Sequence, residues 1–450
     1  MSDDLVIRSR RVVTTAGVAP ASIHIRDGLI DSISSFDDLG DTTRIVDCGE
    51  HVVMPGLVDS HVHVNEPGRT EWEGFETATR AAAAGGVTTI VDMPLNSIPP
   101  TTTVRHLEEK IAALEGKCHV DVGLWGGAVP GNAGELRPML VAGALGFKAF
   151  LVDSGVEEFP HVNAPELQSA MTTLRGTDAP LLVHAELAGP IEAARPSGPS
   201  DSYLQYLHSR PPAAEVEAIE LVARLCKATG ARAHIVHLSA YEGLDIIRRA
   251  RDAGLRLSAE TTPHYLHLEA STIPDGATEF KCAPPIRDEA NRQKLWDGLS
   301  EGVIEMVVSD HSPCTPELKQ HDRGDFAAAW GGIASVQFLL PVVWSEANER
   351  GHDLRSLSRW LSEGPARLSG LDDRKGKLAP GYDADLVVWS PEESFAVRAD
   401  SIHHRHKLTP YLREQLYGVV KQTWLRGMRV YADGQFATAA GRWIKGRRAM

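Results

Sequence analysis

The sequence predicts an α/β protein built on a closed parallel barrel of eight strands, with a small β domain formed by the two ends of the chain. In the middle of the chain, apolar strand-like segments alternate with helical ones, as in repeated βα units. Both ends instead carry short β-rich segments separated by turn residues. Eight is the number of strands that closes a (β/α)8 barrel, also called a TIM barrel.

The predicted barrel strands are spaced so that a helix fits between one strand and the next. Helices with apolar periodicity are predicted at 77–84, 214–228 and 243–253. The predicted strands are 52–62, 87–93, 120–125, 146–151, 180–185, 233–238, 256–261 and 306–309.

The two β-rich ends are each too short to fold well alone, so we expect them to pair with each other beside the barrel. The predicted terminal strands are 5–7, 11–14, 22–26, 29–33, 385–389, 419–426 and 428–431. We therefore predict that residues 1–51 and 376–450 form the small β domain and that residues 52–375 form the barrel.

The composition argues against several classes of function. The 450 residues include 42% hydrophobic and 24% charged residues, which is ordinary for a globular protein. A formal net charge of −14 disfavours binding to nucleic acid or to anionic membranes. The longest apolar runs are far shorter than a membrane span, the N-terminus lacks a signal-peptide layout, and the five cysteines are scattered. We expect a cytoplasmic enzyme with a small polar substrate.

Two histidines at the end of the first predicted barrel strand indicate a metal site. His61 and His63 are two residues apart, so on a strand both side chains point to the same face and can bind one ion. A His-x-His pair is a weak signal by itself, but other candidate ligands lie on later barrel strands, near the ends where TIM barrels place their chemistry. Those candidates are Lys148, His184, His237 and Asp310.

Lys148 is unusual because it lies in the apolar run GFKAFL, where an unpaired ammonium is unfavourable to bury. Burial would lower its pKa, and the neutral amine could then add carbon dioxide to give a carbamate that bridges two cations. The alternative is a lysine that extends its ammonium to the barrel mouth. Likewise, His184 alone could be a core histidine and Asp310 a cap of the following segment.

Long segments of the chain resemble the cyclic amidohydrolases, the family of dihydroorotase, hydantoinase, dihydropyrimidinase and allantoinase. The resemblance covers nearly the whole chain and is greatest to the allantoinases. The segments that carry it are PGLVDSHVHVNEPG at 55–68, EWEGFET at 71–77, 85–96, ETTPHYL at 260–266, KCAPPIR at 281–287 and SDHSPC at 309–314.

This resemblance implies a fold, a metal centre and a reaction. The fold is a TIM barrel with a β-sandwich domain. Two metal ions, usually zinc, are held by the six residues named above with Lys148 carboxylated, although other divalent first-row metals compete for such sites. Asp310 doubles as general acid and base in the hydrolysis of allantoin to allantoate, a step of purine catabolism. Relatives are commonly homotetramers, so a homo-oligomer is expected.

Three positions distinguish between members of the family. Dihydroorotases carry an arginine where this chain has Asn65. Hydantoinases and dihydropyrimidinases carry a tyrosine in place of Asp153 and a serine in place of Ala283. These departures favour allantoin as the substrate.

Substrate contacts are expected from the loops after the barrel strands. The predicted contacts are Asn96, Cys282, Ser312 and Gly331, although Gly331-Gly332 is equally explained as a turn that needs positive φ. His311 should point away from Asp310 and serve the structure. The cluster His403-His404-Arg405-His406 lies outside the predicted barrel and is interpreted as a solvated or interdomain stretch.

Three alternatives remain at this stage. The first is a hydantoinase or dihydropyrimidinase, which shares the metal residues. The second is a mononuclear deaminase on the same barrel, which would not need Lys148. The third is a non-catalytic scaffold related to the dihydropyrimidinases, which would be expected to have lost ligands that are all present here.

Overall fold

The computed structural model describes residues 5–42, 44–194 and 198–446, in which strands fill both ends and helices alternate with strands between them. The strands are β1 (Leu5–Thr14), β2 (Gly17–Arg26), β3 (Leu29–Ser35), β4 (Ile45–Asp47), β5 (Val52–Pro55), β6 (Leu57–Val62), β7 (Val87–Asp92), β8 (Asp121–Leu124), β9 (Gly126–Gly127), β10 (Phe147–Phe150), β11 (Leu181–His184), β12 (Ala233–Ile235), β13 (Leu257–Thr261), β14 (Met306–Val307), β15 (Leu386–Ala396), β16 (Gln415–Leu425), β17 (Met428–Ala432) and β18 (Gln435–Phe436).

The α-helices of the described residues cover the outside of the central strands. They are α1 (Phe75–Ala84), α2 (Val104–Leu114), α3 (Leu136–Ala142), α4 (Ala164–Leu174), α5 (Ala188–Ala193), α6 (Tyr203–Ser209), α7 (Pro212–Thr229), α8 (Gly243–Asp252), α9 (Pro263–His267), α10 (Glu289–Ser300), α11 (Leu339–Glu349), α12 (Leu354–Ser358) and α13 (Gly364–Ser369). None of them is both long enough and apolar enough to cross a bilayer.

Strands β6 to β14 form the barrel, and all of their pairings are parallel. One run of pairs joins β6, β7 and β8, and the other joins β9 through to β14. Trp125 links β8 to β9, so the two runs are continuous on that side. On the other side Val62 pairs with His311, and the His63 N–H donates to the His311 carbonyl at 2.8 Å. The predicted closed barrel is confirmed.

The barrel strands are buried along their whole length rather than at alternate residues, because both of their faces are covered. Every residue of β7, with sequence VTTIVD, is buried. Such uniform burial is typical of parallel strands flanked by helices. Helix α8, by contrast, is buried on one face, where Leu244, Ile247 and Ala250 lie, while Arg249 is exposed.

The small domain is one nine-stranded sheet built from both ends of the chain. Its order is β18-β17-β16-β15-β5-β1-β2-β3, with β4 paired to β1. The sheet curls back on itself, since Leu29 at the start of β3 pairs with Asp383 just before β15. The enclosed core includes Ile7, Ile23, Val388 and Trp424. This is the β-sandwich expected beside the barrel.

Three predicted strands are divided or joined differently in the structure. The expected first barrel strand, 52–62, is divided into β5, which belongs to the small domain, and β6, which belongs to the barrel. The division falls at Gly56, where an added Cβ would lie 2.3 Å from the Thr88 hydroxyl. The predicted strands 5–7 and 11–14 are instead one strand, β1, with an irregularity between Ser9 and Val12.

A buried lysine joins the barrel to the small domain. The Lys375 ammonium lies 2.7 Å from Asp121 in β8, 2.9 Å from Asp383 and 2.6 Å from Asp385. Burial would lower the pKa of Lys375, but the three carboxylates outweigh that effect and raise it. The three carboxylates are thus already paired with a cation supplied by the chain.

Candidate active site

A cavity of about 490 Å³ opens at the C-terminal end of the barrel strands. Parallel strands direct the residues at their C-terminal ends towards one rim, which is where barrel enzymes place their chemistry. All six candidate ligands predicted from the sequence line this cavity, namely His61, His63, Lys148, His184, His237 and Asp310.

Three of these residues come together closely enough to share one cation. The ligand atoms of His61, His63 and Asp310 all lie within 4.8 Å of one another. His61 Nε2 is 3.1 Å and His63 Nε2 is 3.7 Å from the same Asp310 carboxylate oxygen. Two imidazole nitrogens and one carboxylate oxygen are ligands that zinc and related divalent metals accept.

The other two histidines meet on the opposite side of the cavity. His184 Nδ1 lies 3.0 Å from His237 Nε2. The ring centroids of His61 and His237 are 5.4 Å apart, so His237 stands between the two groups. His184 also stacks on Phe150, with centroids 4.7 Å apart, and this contact fixes the plane of its ring.

Lys148 lies in β10 and is 1% exposed, so it does not extend its ammonium to solvent. Burial lowers the pKa of the amine to about 8, although Asp310 and Glu260 nearby oppose the shift. No carboxylate of the described residues lies within ion-pair distance of its nitrogen; the Phe150 ring centroid is 5.0 Å away. A lysine of this kind is available as the neutral amine near neutral pH.

His61, His184 and His237 are held in the neutral form that binds metal. Burial lowers the pKa values of His61 and His237 well below the usual range and also lowers that of His184. His61 Nε2 is buried and has no hydrogen-bond partner among the described residues. A buried ring nitrogen without a partner fits a position that a metal ion fills.

Two buried glutamates that the sequence analysis did not assign fix the outer side of the histidine rings. Glu260 in β13 accepts a hydrogen bond at 2.6 Å from His61 Nδ1 and contacts His234 Nε2 at 3.0 Å. Glu186 lies 2.7 Å from His184 Nε2 and is ion-paired with Arg210. Such carboxylates orient histidine ligands and select their tautomer. In the sequence, Glu260 is marked only by its place at the start of the ETTPHYL segment, and Glu186 only by its spacing of two residues from His184.

The backbone is strained at two of the candidate ligands. His237 has φ of 38° and Asp310 has φ of 45°, in the left-handed region that residues other than glycine rarely adopt. His237 lies two residues after the end of β12 and Asp310 three residues after the end of β14. Strain of this kind is concentrated at functional sites, where the surrounding structure enforces it.

The predicted substrate contacts divide into two groups. Asn96, Ser312 and Gly331 line the cavity, and the Asn96 side-chain oxygen has no hydrogen-bond partner among the described residues. Cys282 does not line it, although its neighbours Lys281 and Ala283 do. The Cys282 side chain is buried, and its carbonyl accepts a hydrogen bond from the Tyr206 hydroxyl at 2.6 Å.

His311 serves the structure, as expected from its position next to Asp310. Its Nδ1 accepts a hydrogen bond at 3.0 Å from the Ser335 N–H, and the ring is fully buried outside the cavity wall. The 403–406 cluster contacts the barrel and is partly buried, since Arg405 is exposed and His403 and His406 are half-buried. His404 is fully buried, and the backbone of Arg405 donates to the Glu73 carboxylate at 3.1 Å.

Comparisons with known proteins agree with this geometry. The Amidohydrolase family matches residues 52–430. An allantoinase of Streptomyces avermitilis is 49% identical, covering 98% of this chain and 99% of the relative, and an allantoinase of Arabidopsis thaliana is 45% identical, covering 97% and 90%. Among solved structures, the L-hydantoinase (dihydropyrimidinase) from Arthrobacter aurescens is 31% identical with a TM-score of 0.93, covering 98% of this chain and 100% of that one. The chain therefore belongs to the amidohydrolase family.

Proposed function

We propose that this protein is a metal-dependent allantoinase, a hydrolase that opens the hydantoin ring of allantoin at a carbon–nitrogen bond to give allantoate. The proposal rests on the observation that six potential metal ligands line one cavity, in a chain that is similar over nearly its full length to allantoinases. The reaction belongs to the recovery of nitrogen from purines.

The residues that would hold the metals are His61, His63, Lys148, His184, His237 and Asp310. We propose two zinc ions, with carboxylated Lys148 as a shared anionic ligand, and other divalent first-row metals as possible replacements. When bound, such a centre activates water at neutral pH and polarises a carbonyl group. The lowered pKa of Lys148, about 8, supports the carbamate, because only the neutral amine reacts with carbon dioxide.

Asp310 is the proposed general base and general acid. Its carboxylate lies on the cavity and within 3.1 Å of His61 Nε2, so it sits beside the position where water would be activated. In the proposed reaction a carboxylate oxygen of Asp310 takes the proton of the attacking water. It then gives that proton to the ring nitrogen as the carbon–nitrogen bond breaks.

The cavity wall would orient the substrate. Asn96, Ser312 and Gly331 offer an amide, a hydroxyl and peptide groups, which match the donors and acceptors of a hydantoin ring and its ureido group. Cys282 was expected among these contacts; since its side chain is buried outside the cavity lining, we propose no direct contact for it.

A second candidate function is hydantoinase or dihydropyrimidinase activity. The observation in its favour is the TM-score of 0.93 to the L-hydantoinase (dihydropyrimidinase) from Arthrobacter aurescens. Against it, this chain has Asp153 and Ala283 on the cavity wall, where the sequence analysis expects tyrosine and serine in those enzymes. A mononuclear deaminase is less well supported, because it leaves the buried Lys148 without a role. A non-catalytic scaffold would not need all six side chains on the cavity.

Parallel assays with allantoin, hydantoin, dihydrouracil and dihydroorotate test the proposal. Zinc-loaded protein should form allantoate as its dominant product, and Asp310→Asn should reduce that rate by at least about a thousandfold. Asp252→Asn, which changes an exposed carboxylate at the end of α8 outside the cavity lining, is the matched control and should keep full activity. If the protein hydrolyses another ring but not allantoin, the proposed metal-dependent hydrolysis stands and allantoin is excluded as the substrate.

Three further properties are part of the proposal. Residues 1–51 and 376–450 are proposed as the small domain and residues 52–375 as the catalytic domain, with the correction that β5 (Val52–Pro55) pairs into the sheet of the small domain. We propose a cytoplasmic enzyme, since the five cysteines are free and buried, as is usual in a reducing compartment. We also propose a homotetramer, as the family resemblance implies; light scattering of the purified protein would measure its mass.

A further inference from the structure

Two lysines hold one wall of the cavity through backbone carbonyl groups, Lys319 from behind the wall and Lys281 from the cavity lining. We define the wall loop as residues 318–332, of which Leu318 and 326–332 line the cavity. The Lys319 ammonium is buried and donates to the carbonyl of Lys281 at 3.2 Å, to that of Trp330 at 3.0 Å, and to that of Gly332. The Lys281 ammonium donates to the carbonyls of Ala329 at 2.5 Å and Ala327 at 3.3 Å.

Packing this wall with ammonium groups is energetically unfavourable compared with packing it with apolar side chains. Among the described residues, no carboxylate forms an ion pair with either Lys319 or Lys281, although burying a cation is unfavourable unless its charge is compensated. Lys319 satisfies all three of its N–H donors with backbone carbonyls. An apolar side chain could pack here, but it could not hold three carbonyls at fixed positions.

The carbonyls that Lys319 holds flank the part of the wall that meets the cavity. Gly332 is pressed against Ser312, since an added Cβ would lie 2.3 Å from the Ser312 carbonyl oxygen. At Gly331, by contrast, an added Cβ would find no atom closer than 3.9 Å, and Gly331 does not have positive φ. Gly331 is therefore not required by a turn, and the free space beside it belongs to the cavity.

The peptide N–H of Gly331 makes no hydrogen bond among the described residues, whereas its neighbours are engaged: the Trp330 N–H donates to Leu318 and the Gly332 N–H donates to Lys281, both at 2.8 Å. The wall thus keeps one unused peptide donor on the cavity between two residues whose carbonyls are fixed by Lys319. A cyclic ureide, with carbonyl oxygens in the plane of its ring, is the chemical class that such a donor would bind.

We propose that Lys319, assisted by Lys281, is a positioning residue for substrate: it holds the wall loop so that the Gly331 peptide group can hydrogen-bond the ring of a cyclic ureide. The proposal rests on the proposed function for the identity of the substrate. The proposed role is independent of the metal ligands, because neither lysine makes a described hydrogen bond to any of them. A defect in the wall should therefore weaken substrate binding and leave the metal content unchanged.

The test is the variant Lys319→Met in zinc-loaded protein. We expect KM for allantoin to rise at least about tenfold, with kcat changed less than about threefold and the zinc stoichiometry of the unmodified protein retained. Trypsin should also cut faster after the exposed Arg323, which lies in the wall loop. Lys294→Met removes an exposed lysine of α10 and is the matched control, with no change expected in either measurement.

Unchanged KM and unchanged cleavage at Arg323 in folded Lys319→Met would overturn the proposal, as would a loss of zinc that accounts for the defect. If Lys319→Met does not fold, Lys281→Met removes the bonds to Ala327 and Ala329 and is measured in the same way. If the unmodified protein opens another ring but not allantoin, the proposed function fails, and KM for that ring together with tryptic cleavage still decides the role of Lys319.

Discussion

Glu260 lies one hydrogen bond behind His61 and does not itself line the cavity. Its carboxylate fixes His61 with Nδ1 engaged and Nε2 left for a ligand. We expect Glu260→Gln to weaken zinc binding by about 10- to 100-fold, because the amide cannot supply the negative charge that orients and polarises the ring. Zinc retained against a graded chelator measures this. Glu217→Gln, an exposed position on α7, should bind zinc normally, and equal affinity of both variants would contradict the expectation.

Gly331 and Gly332 are adjacent, but we expect an added methyl group to affect substrate binding at Gly331 and thermal stability at Gly332. Gly331→Ala should leave the melting temperature unchanged, since its Cβ meets no protein atom closer than 3.9 Å, and should raise KM several-fold by intruding on the cavity. Gly332→Ala should lower the melting temperature, because its Cβ would lie 2.3 Å from the Ser312 carbonyl oxygen. Steady-state kinetics and thermal unfolding of both variants check this; a loss of stability in Gly331→Ala would refute it.

The sequence predicts contacts between site residues that lie at the end of one strand. It does not predict contacts between residues that meet only because the barrel closes. His61 and His63 are detectable as a pair because strand geometry alone puts them on one face. Glu260 is 199 residues from His61 in sequence, and the contact exists only because β13 and β6 converge in the closed barrel. Cys282 lies outside the cavity lining while its neighbours Lys281 and Ala283 line it, a difference that no periodic signal in a loop sequence predicts.

Among the elements, α9 and α11 are joined by a histidine whose pKa is raised by two glutamates. His267 at the end of α9 lies 2.8 Å from Glu346 in α11 and 3.9 Å from Glu414. Burial lowers the pKa of His267, but the hydrogen bond to Glu346 and the nearby carboxylate of Glu414 outweigh this and raise the pKa to about 9. A raised folded-state pKa stabilises the protein fully below pH 6.5, and this contribution is lost as the pH rises through about 9.

We therefore expect the free energy of unfolding to fall between pH 6.5 and 9, by on the order of 2–3 kcal/mol from this group. Urea unfolding across that range measures the slope. His267→Gln should flatten it, whereas His208→Gln in α6 should not. An unchanged slope in His267→Gln would assign the pH dependence to other groups.

Element boundaries were predicted well where burial is uniform and poorly where one apolar run crosses between sheets. The central barrel strands match because uniformly buried runs of this length have few alternatives. The run 52–62 is buried on both sides of Gly56, so no change in burial marks its division into β5 and β6. The strand pairings and the close approach of Thr88 to Gly56 show where the chain changes sheets.

For the whole molecule, Lys375 is the ionic link between the barrel and the small domain. Lys375→Met would leave three buried carboxylates without their shared cation, and we expect a loss of about 3–5 kcal/mol in the free energy of unfolding. Thermal and urea unfolding measure it. Lys377→Met, two residues along the chain and half-buried, is the control. A loss below about 1 kcal/mol would mean that Arg426, which also pairs with Asp121, and Arg374, which also pairs with Asp383, compensate for the missing ammonium.

The small domain's divided sheet also has a consequence during synthesis on the ribosome. β5 leaves the ribosome early, but its neighbour β15 follows roughly 330 residues later, which at 5–20 residues per second is a delay of roughly 20–70 seconds. Throughout that interval β5 exposes an open strand edge, the kind of surface that pairs with other nascent chains. The yield of folded protein should therefore depend on chaperones that shield the emerging N-terminal strands until the last strands are made.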